Sequence, residues 1–225
     1  MLRAFEFVIL FVALPALFAF TRHRLPALPA LWAMAALCLI VLLRDPTMDR
    51  HWLWNAEALS AYLVRGQLAP SQPGRGFDGL PGILPLFAIA AALIGVAVWR
   101  FAPDLFLNLP RRNPVLWVAI MLLYPVLSVY PQSIIYRAFL FHRYGTMFGG
   151  ATGALIASAV AFGFLHVVFR NSYAVALAAV AGLLFAARYL QTGSLFVSAF
   201  EHSLYGCLIF TVGLGRFFYH GAVQR

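Results

Sequence analysis

The stretch Pro131-Gln-Ser-Ile-Ile-Tyr-Arg137 sets an arginine inside otherwise apolar sequence of membrane grade. An ionisable group in hydrocarbon costs several kcal/mol unless it is partnered or solvated, so its presence marks a functional site by default. Two later apolar segments each add a histidine, His166 and His202. The carboxylate that such an arginine wants does not stand beside it. Beyond Asp104 the chain has one acid, Glu201, next to His202.

Working outward, apolar runs cover roughly residues 4–21, 25–43, 81–101, 115–130, 132–142, 152–169, 172–190 and 194–214. Several are long enough to span a hydrocarbon core of about 30 Å at 1.5 Å per residue. Of the 225 residues 63% are hydrophobic and 10% charged, and the mean hydropathy is +0.87. A soluble domain carries about a quarter charged residues. The chain therefore reads as an all-α, polytopic membrane helix bundle with seven or eight transmembrane helices. We treat residues 1–225 as a single membrane domain, because no polar segment is long enough to fold alone.

The net charge of +9 comes from arginine, since the chain contains no lysine. Most of these arginines flank apolar segments, as membrane anchors do, and form no solvated basic face, which argues against nucleic acid as a partner. Arg22, Arg24, Arg100, Arg111, Arg112 and Arg143 oppose Arg44, Arg50, Arg65 and Arg75, so the charge count sets no orientation. Cys38 and Cys207 sit in apolar runs with neither disulfide-framework nor zinc spacing. Glu6 interrupts the first run, which is expected to remain as a helix rather than serve as a leader.

Residues 44–80 form the long polar connection. Its middle, His51 to Leu63, has tryptophans and leucines suited to a short interfacial helix, either an anchor or a lid. From residue 115 onward small residues recur every fourth position: Gly149, Gly153, Ala157 and Ala161, then Ala174, Ala178, Gly182 and Ala186. Such stripes let membrane helices approach closely. Residues 115–215 are accordingly expected to form the functional core and residues 1–114 its support.

Pro131 lacks an amide hydrogen and leaves the carbonyl of Leu127 without its helical partner, so a kink or a new helix is expected there. After it, Gln132 and Tyr136 share one helix face, and Ser133 and Arg137 another. Phe162 lies one turn before His166, with its ring set to stack beneath the imidazole. Glu201 and His202 occupy the last long run. His142 and Arg143, before Gly145, look like juxtamembrane residues, and His23, His51 and His220 lie in flanking positions.

These segments resemble the type II CAAX prenyl endopeptidases and bacteriocin-processing proteins, the Abi or CPBP intramembrane proteases. The EExxxR signature of that family aligns with Gln132 to Arg137 and the aromatic stretch after it, FxxxH with Phe162 to His166, and the third motif with His202 to Gly206. The resemblance covers roughly residues 115–215. It implies an eight-helix bundle around a wet cavity and hydrolysis of a peptide bond in a membrane-associated protein or peptide. It also implies that His166 shares an activated water and that His202 donates to the oxyanion.

The chain departs from the pattern where the chemistry is done. Gln132 and Ser133 replace the two glutamates, and Gly206 replaces the asparagine; a glutamine amide is no general base and glycine has no donor side chain. Three readings follow. In the first, an active protease, Glu201 supplies the relocated carboxylate and Gln132 an oxyanion donor, with Glu201, His166, His202 and Gln132 catalytic and Arg137, Ser133, Phe162, Tyr136 and Gly206 supporting. In the second, Glu201 neutralises Arg137, and a non-catalytic relative binds membrane segments or partner proteins. In the third, the cluster relays protons in a transporter. No cofactor is required, although two histidines and a carboxylate can hold zinc with one position open. The expected partners are the lipid bilayer and a membrane-associated protein or peptide substrate, and the expected location is a bacterial inner membrane.

Overall fold

A computed structural model describes residues 2–21, 26–64 and 79–218. Arg22, His23, Arg24, Arg65, Arg75, His220 and the loop around residues 70–78 lie outside them. Among the described residues, seven helices are long and apolar enough to cross a membrane: α1 (Leu2–Phe20), α2 (Ala27–Arg44), α5 (Ile83–Phe101), α7 (Pro114–Phe148), α8 (Ala151–Phe169), α9 (Ser172–Thr192) and α10 (Leu195–Val212). Three short helices connect them, α3 (His51–Trp54), α4 (Ala58–Val64) and α6 (Asn108–Arg112), and a 3-10 turn, Leu214–Phe217, follows the last span. There is no strand among the described residues. The chain is an integral membrane protein with an all-α polytopic architecture.

The exterior is the apolar side. Ile89, Leu93, Val96 and Trp99 on α5, and Val115, Leu122 and Val126 on α7, are all more than half exposed. In water such a surface is an association site; around a bundle of this length it is the lipid-facing belt.

One expectation changes here. Runs 115–130 and 132–142 are not two helices but one, α7, about 50 Å long at 1.5 Å per residue. Pro131 neither breaks nor restarts it. The ladder widens instead into π turns at Pro125–Val129 and Ile134–Phe139, on either side of Pro131. In the first turn the Tyr130 amide donates to the Pro125 carbonyl, five residues back, and in the second the Leu140 amide reaches Ile135. A proline deprives the carbonyl four residues back of its amide donor; here the Leu127 carbonyl accepts from Trp32 Nε1 at 3.0 Å, and the wider turns carry the helix past the proline. The eight spans implied by the resemblance thus become seven among the described residues.

Small residues set the approach of α8 and α9, with one stripe read in the wrong register. Ala174, Ala178, Gly182 and Ala186 are buried, as expected of a packed face. On α8, by contrast, Ala161 is buried but Gly149 is exposed and Gly153 and Ala157 are only partly covered, and contact runs through Ala159 and Gly163. A Cβ on Gly163 would lie 2.7 Å from the Ala179 Cβ, and one on Gly182 would lie 3.1 Å from the Ala159 Cα. Periodicity identified a close-packed helix, but a period of four recurs on neighbouring faces and does not choose between them.

The rest of the frame is capped and pinned. Asn171 and Ser194 accept from the amides of Ala174 and Val197 to start α9 and α10, and Gly193, at φ 59°, ends α9 in the left-handed region. His51–Leu63 forms two short helices, because Asn55 stops α3 and then caps Ala58 at the start of α4. Leu53 is buried, and its carbonyl accepts from the Tyr130 hydroxyl at 3.3 Å. At one end of α7, Arg143 donates to both oxygens of Glu6 at 3.2 and 3.0 Å. His142 donates to Asp45 at 2.9 Å. These two residues, read from sequence as ordinary juxtamembrane positions, tie α7 to α1 and to the end of α2.

Candidate functional site

Arg137 lies in the second π turn of α7 and is wholly buried. Ser158 of α8 donates to the carbonyl of Tyr136 at 2.7 Å, which fixes that turn against its neighbour. The guanidinium carbon stands 4.2 Å from the centre of the Phe162 ring and 5.4 Å from that of Phe185. None of its three nitrogens has a hydrogen-bond partner among the described residues. A desolvated cation over an aromatic face gains about 2 kcal/mol. An uncompensated buried charge costs more, about 3–5 kcal/mol when one partner of a pair is removed.

His166 ends α8. Its Nδ1 is 2.7 Å from the Phe162 carbonyl. A carbonyl only accepts, so Nδ1 carries the proton and Nε2 presents its lone pair. Its ring meets Phe162 at a centroid distance of 4.9 Å and an angle of 67°, an edge contact rather than a stack. His202 of α10 lies parallel to Phe185 at 4.5 Å and edge-on to Phe162 at 5.3 Å. Both imidazoles and the guanidinium thus gather on one phenyl ring, that of Phe162. Tyr136 packs on the same ring at 5.6 Å.

Several buried polar atoms of α7 and α10 are sparsely engaged. Gln132 donates to the Ser128 hydroxyl at 2.8 Å. The Gln132 Oε1, the Ser133 Oγ and the His202 Nδ1 have no partner among the described residues.

Glu201 corrects both placements considered from sequence. It neither joins His166 nor pairs with Arg137. Its partner is Arg188 of α9, whose Nε and Nη2 donate to the two carboxylate oxygens at 2.8 and 3.1 Å, with both side chains wholly buried. The remaining donors of Arg188 are also used, by Gln191 Oε1 at 2.7 Å and the Pro81 carbonyl at 2.9 Å. Gln191 in turn donates to the Leu80 carbonyl at 3.1 Å. The tight turn at Gly193 and Ser194 makes α9 and α10 a hairpin, and that hairpin brings Arg188 opposite Glu201. The pair clamps α9 and α10 to the segment leading into α5.

Arg188 was legible by the rule that singled out Arg137, being a charge within an apolar run. Its place near the end of that run made it look like one more flanking arginine. Tyr124 carried no such signal. A Cβ on Gly206 would lie 2.3 Å from Tyr124 Cε1 and 2.6 Å from its hydroxyl oxygen, so this phenol fills the space beside Gly206. Its ring faces His202 edge-on at 6.4 Å. A tyrosine side chain thus stands where any side chain at position 206 would go.

With Glu201 committed to Arg188, the two histidines and this carboxylate do not form a metal-ligand set. No group of three or more His, Cys, Asp or Glu side chains able to hold a metal ion occurs among the described residues.

Residues 113–208 match the family model of type II CAAX prenyl endopeptidase Rce1-like proteins. Over that stretch the chain is similar to CAAX-type endopeptidases. The match takes in Gln132, Arg137, Phe162, His166, Glu201, His202 and Gly206, and covers less than half of the 225 residues. No match was found among curated proteins or among solved structures. The cluster on Phe162 lies within the matched stretch.

Proposed function

We propose that this protein is a non-catalytic CAAX-protease-like membrane protein that binds a membrane-delivered peptide or protein segment at the Phe162 cluster. One observation carries the reading: Glu201, the one acid of the C-terminal core, has both oxygens held by Arg188, and among the described residues no carboxylate is hydrogen-bonded to His166 or His202. Gln132 is an amide engaged with Ser128 and offers no base. On this reading residues 115–215 form the binding core, residues 1–114 support it, and the protein resides in a bacterial inner membrane.

A second reading, intramembrane endopeptidase activity, is favoured by the His166 tautomer. An imidazole whose Nδ1 hydrogen is fixed on a carbonyl presents Nε2 as a base, and Tyr124 beside His202 supplies an O–H donor in place of the missing side chain at Gly206.

The test uses the purified protein in lipid nanodiscs with a fluorescent, isoprenylated peptide. Saturable binding by anisotropy, with no shortened peptide by mass spectrometry after prolonged incubation, is the expected result. Cleavage by the wild type that disappears in His166→Ala replaces it with the second reading.

A further inference from the structure

We infer that Arg137 is the anchor of a carboxylate-binding site, filled by an anion that the fold itself does not provide. The argument begins with charge. Arg137 is wholly buried, and its Nε, Nη1 and Nη2 have no acceptor among the described residues. The Phe162 ring at 4.2 Å balances part of the charge and none of the hydrogen-bond donors. Glu201, the one acid of the C-terminal core, is spent on Arg188.

The same bundle shows how a buried guanidinium is satisfied. Arg188 has a bidentate carboxylate and two further oxygen acceptors. Arg137 has the same planar fork, which matches a carboxylate in two parallel hydrogen bonds, and lacks the carboxylate. Ser133 precedes Arg137 by four residues on α7, and His202 packs on the same two rings as the guanidinium; the Ser133 hydroxyl and the His202 Nδ1 are buried and have no partner among the described residues. The Gln132 Oε1 is also free, but a neutral acceptor cannot cancel a charge.

The ligand class follows from the count of charges. A single guanidinium among neutral groups balances one negative charge, which suits a carboxylate better than a doubly charged phosphate. The two histidines of the cluster keep a little exposure, His166 at 8% and His202 at 5%. This proposal stands whether or not a peptide bond is cut. Two sources offer the same group: the free C-terminus of a bound peptide, and a small organic acid.

The experiment follows thermal unfolding of the full chain in nanodiscs, with sodium acetate against sodium chloride at equal ionic strength. It adds the affinities of one apolar peptide with either a free carboxyl or an amidated C-terminus. Acetate is expected to raise the melting temperature of the wild type above its value in chloride. Ser133→Glu, which places a carboxylate one turn from Arg137, is expected to melt higher than wild type and to lose the acetate response, while Ser133→Gln keeps it. A preference of about tenfold or more for the free-carboxyl peptide assigns the site to peptide termini, and equal affinities with an acetate response assign it to small acids. Equal melting in acetate and chloride together with equal peptide affinities overturns the proposal. So does a full acetate response in Ser133→Glu. Arg137→Met removes a wholly buried side chain and can fail to fold, so the wild-type and Ser133 arms decide.

Discussion

The guanidinium of Arg188 grips both carboxylate oxygens of Glu201 at 2.8 and 3.1 Å, with neither side chain exposed. That contact changes the standing of the chain's one intramembrane acid within the C-terminal core from candidate base to clamp. It predicts that Glu201→Gln destabilises the protein by about 3–5 kcal/mol, because a buried charge is left uncompensated. Arg188→Met with Glu201→Leu is expected to recover most of that loss, since well-packed apolar residues often replace a buried pair without cost. Chemical denaturation in mild detergent measures both, and a double variant as unstable as the single one removes the clamp interpretation.

At the end of α7 the same logic works near water. The Thr47 hydroxyl, the His142 ring and the Thr47 amide hold the Asp45 carboxyl well below the usual carboxylate range. A carboxyl lowered in the folded state contributes stability above its unfolded value of about 4 and loses it as pH falls toward the folded value. Wild type is therefore expected to melt above Asp45→Asn at pH 5 and higher, and the two curves are expected to converge as pH drops below about 4. A gap that widens on acidification contradicts this contact.

Gly206 gives a packing test. A methyl group there meets Tyr124 at 2.3 Å, so Gly206→Ala is expected to cost about 1–3 kcal/mol. In a Tyr124→Ala background the same substitution should cost clearly less, and a double-mutant cycle reads the coupling. Additive effects would mean that the phenol does not fill this space.

Gly163 and Gly95 form a matched pair. Both are helical, but a Cβ on Gly163 runs into Ala179 at 2.7 Å whereas one on Gly95 meets nothing within 4 Å. Gly163→Ala should lower the melting temperature by forcing α8 from α9. Gly95→Ala should leave it unchanged or raise it, by up to about 1 kcal/mol of helix propensity.

These residues also show what a sequence can disclose. Arg137, His166 and His202 announced themselves because polar groups in hydrocarbon are costly, and the structure gathers them on Phe162. The partner of Glu201 was hidden, because it depends on a hairpin at Gly193 and Ser194 that sets two distant positions face to face. Tyr124 was hidden for the opposite reason: an aromatic residue in an apolar run is unremarkable until something packs against it. The apolar runs were visible in hydropathy, while the joining of two of them into α7 was not, since Pro131 signals a break unless the turns beside it widen.

Those widened turns have a consequence for the whole of α7. Each residue of a regular helix advances the screw by about 100°, so the turn at Ile134–Phe139 indexes the angular phase of one half of the rod against the other. Arg137 is aimed from within that turn at Phe162, while His142 and Arg143, beyond it, must meet Asp45 and Glu6. Deleting Ala138 alone would leave a helix of nearly equal length yet swing the far end away from both acids, unmooring α7 from α1 and α2 without touching a single charged side chain.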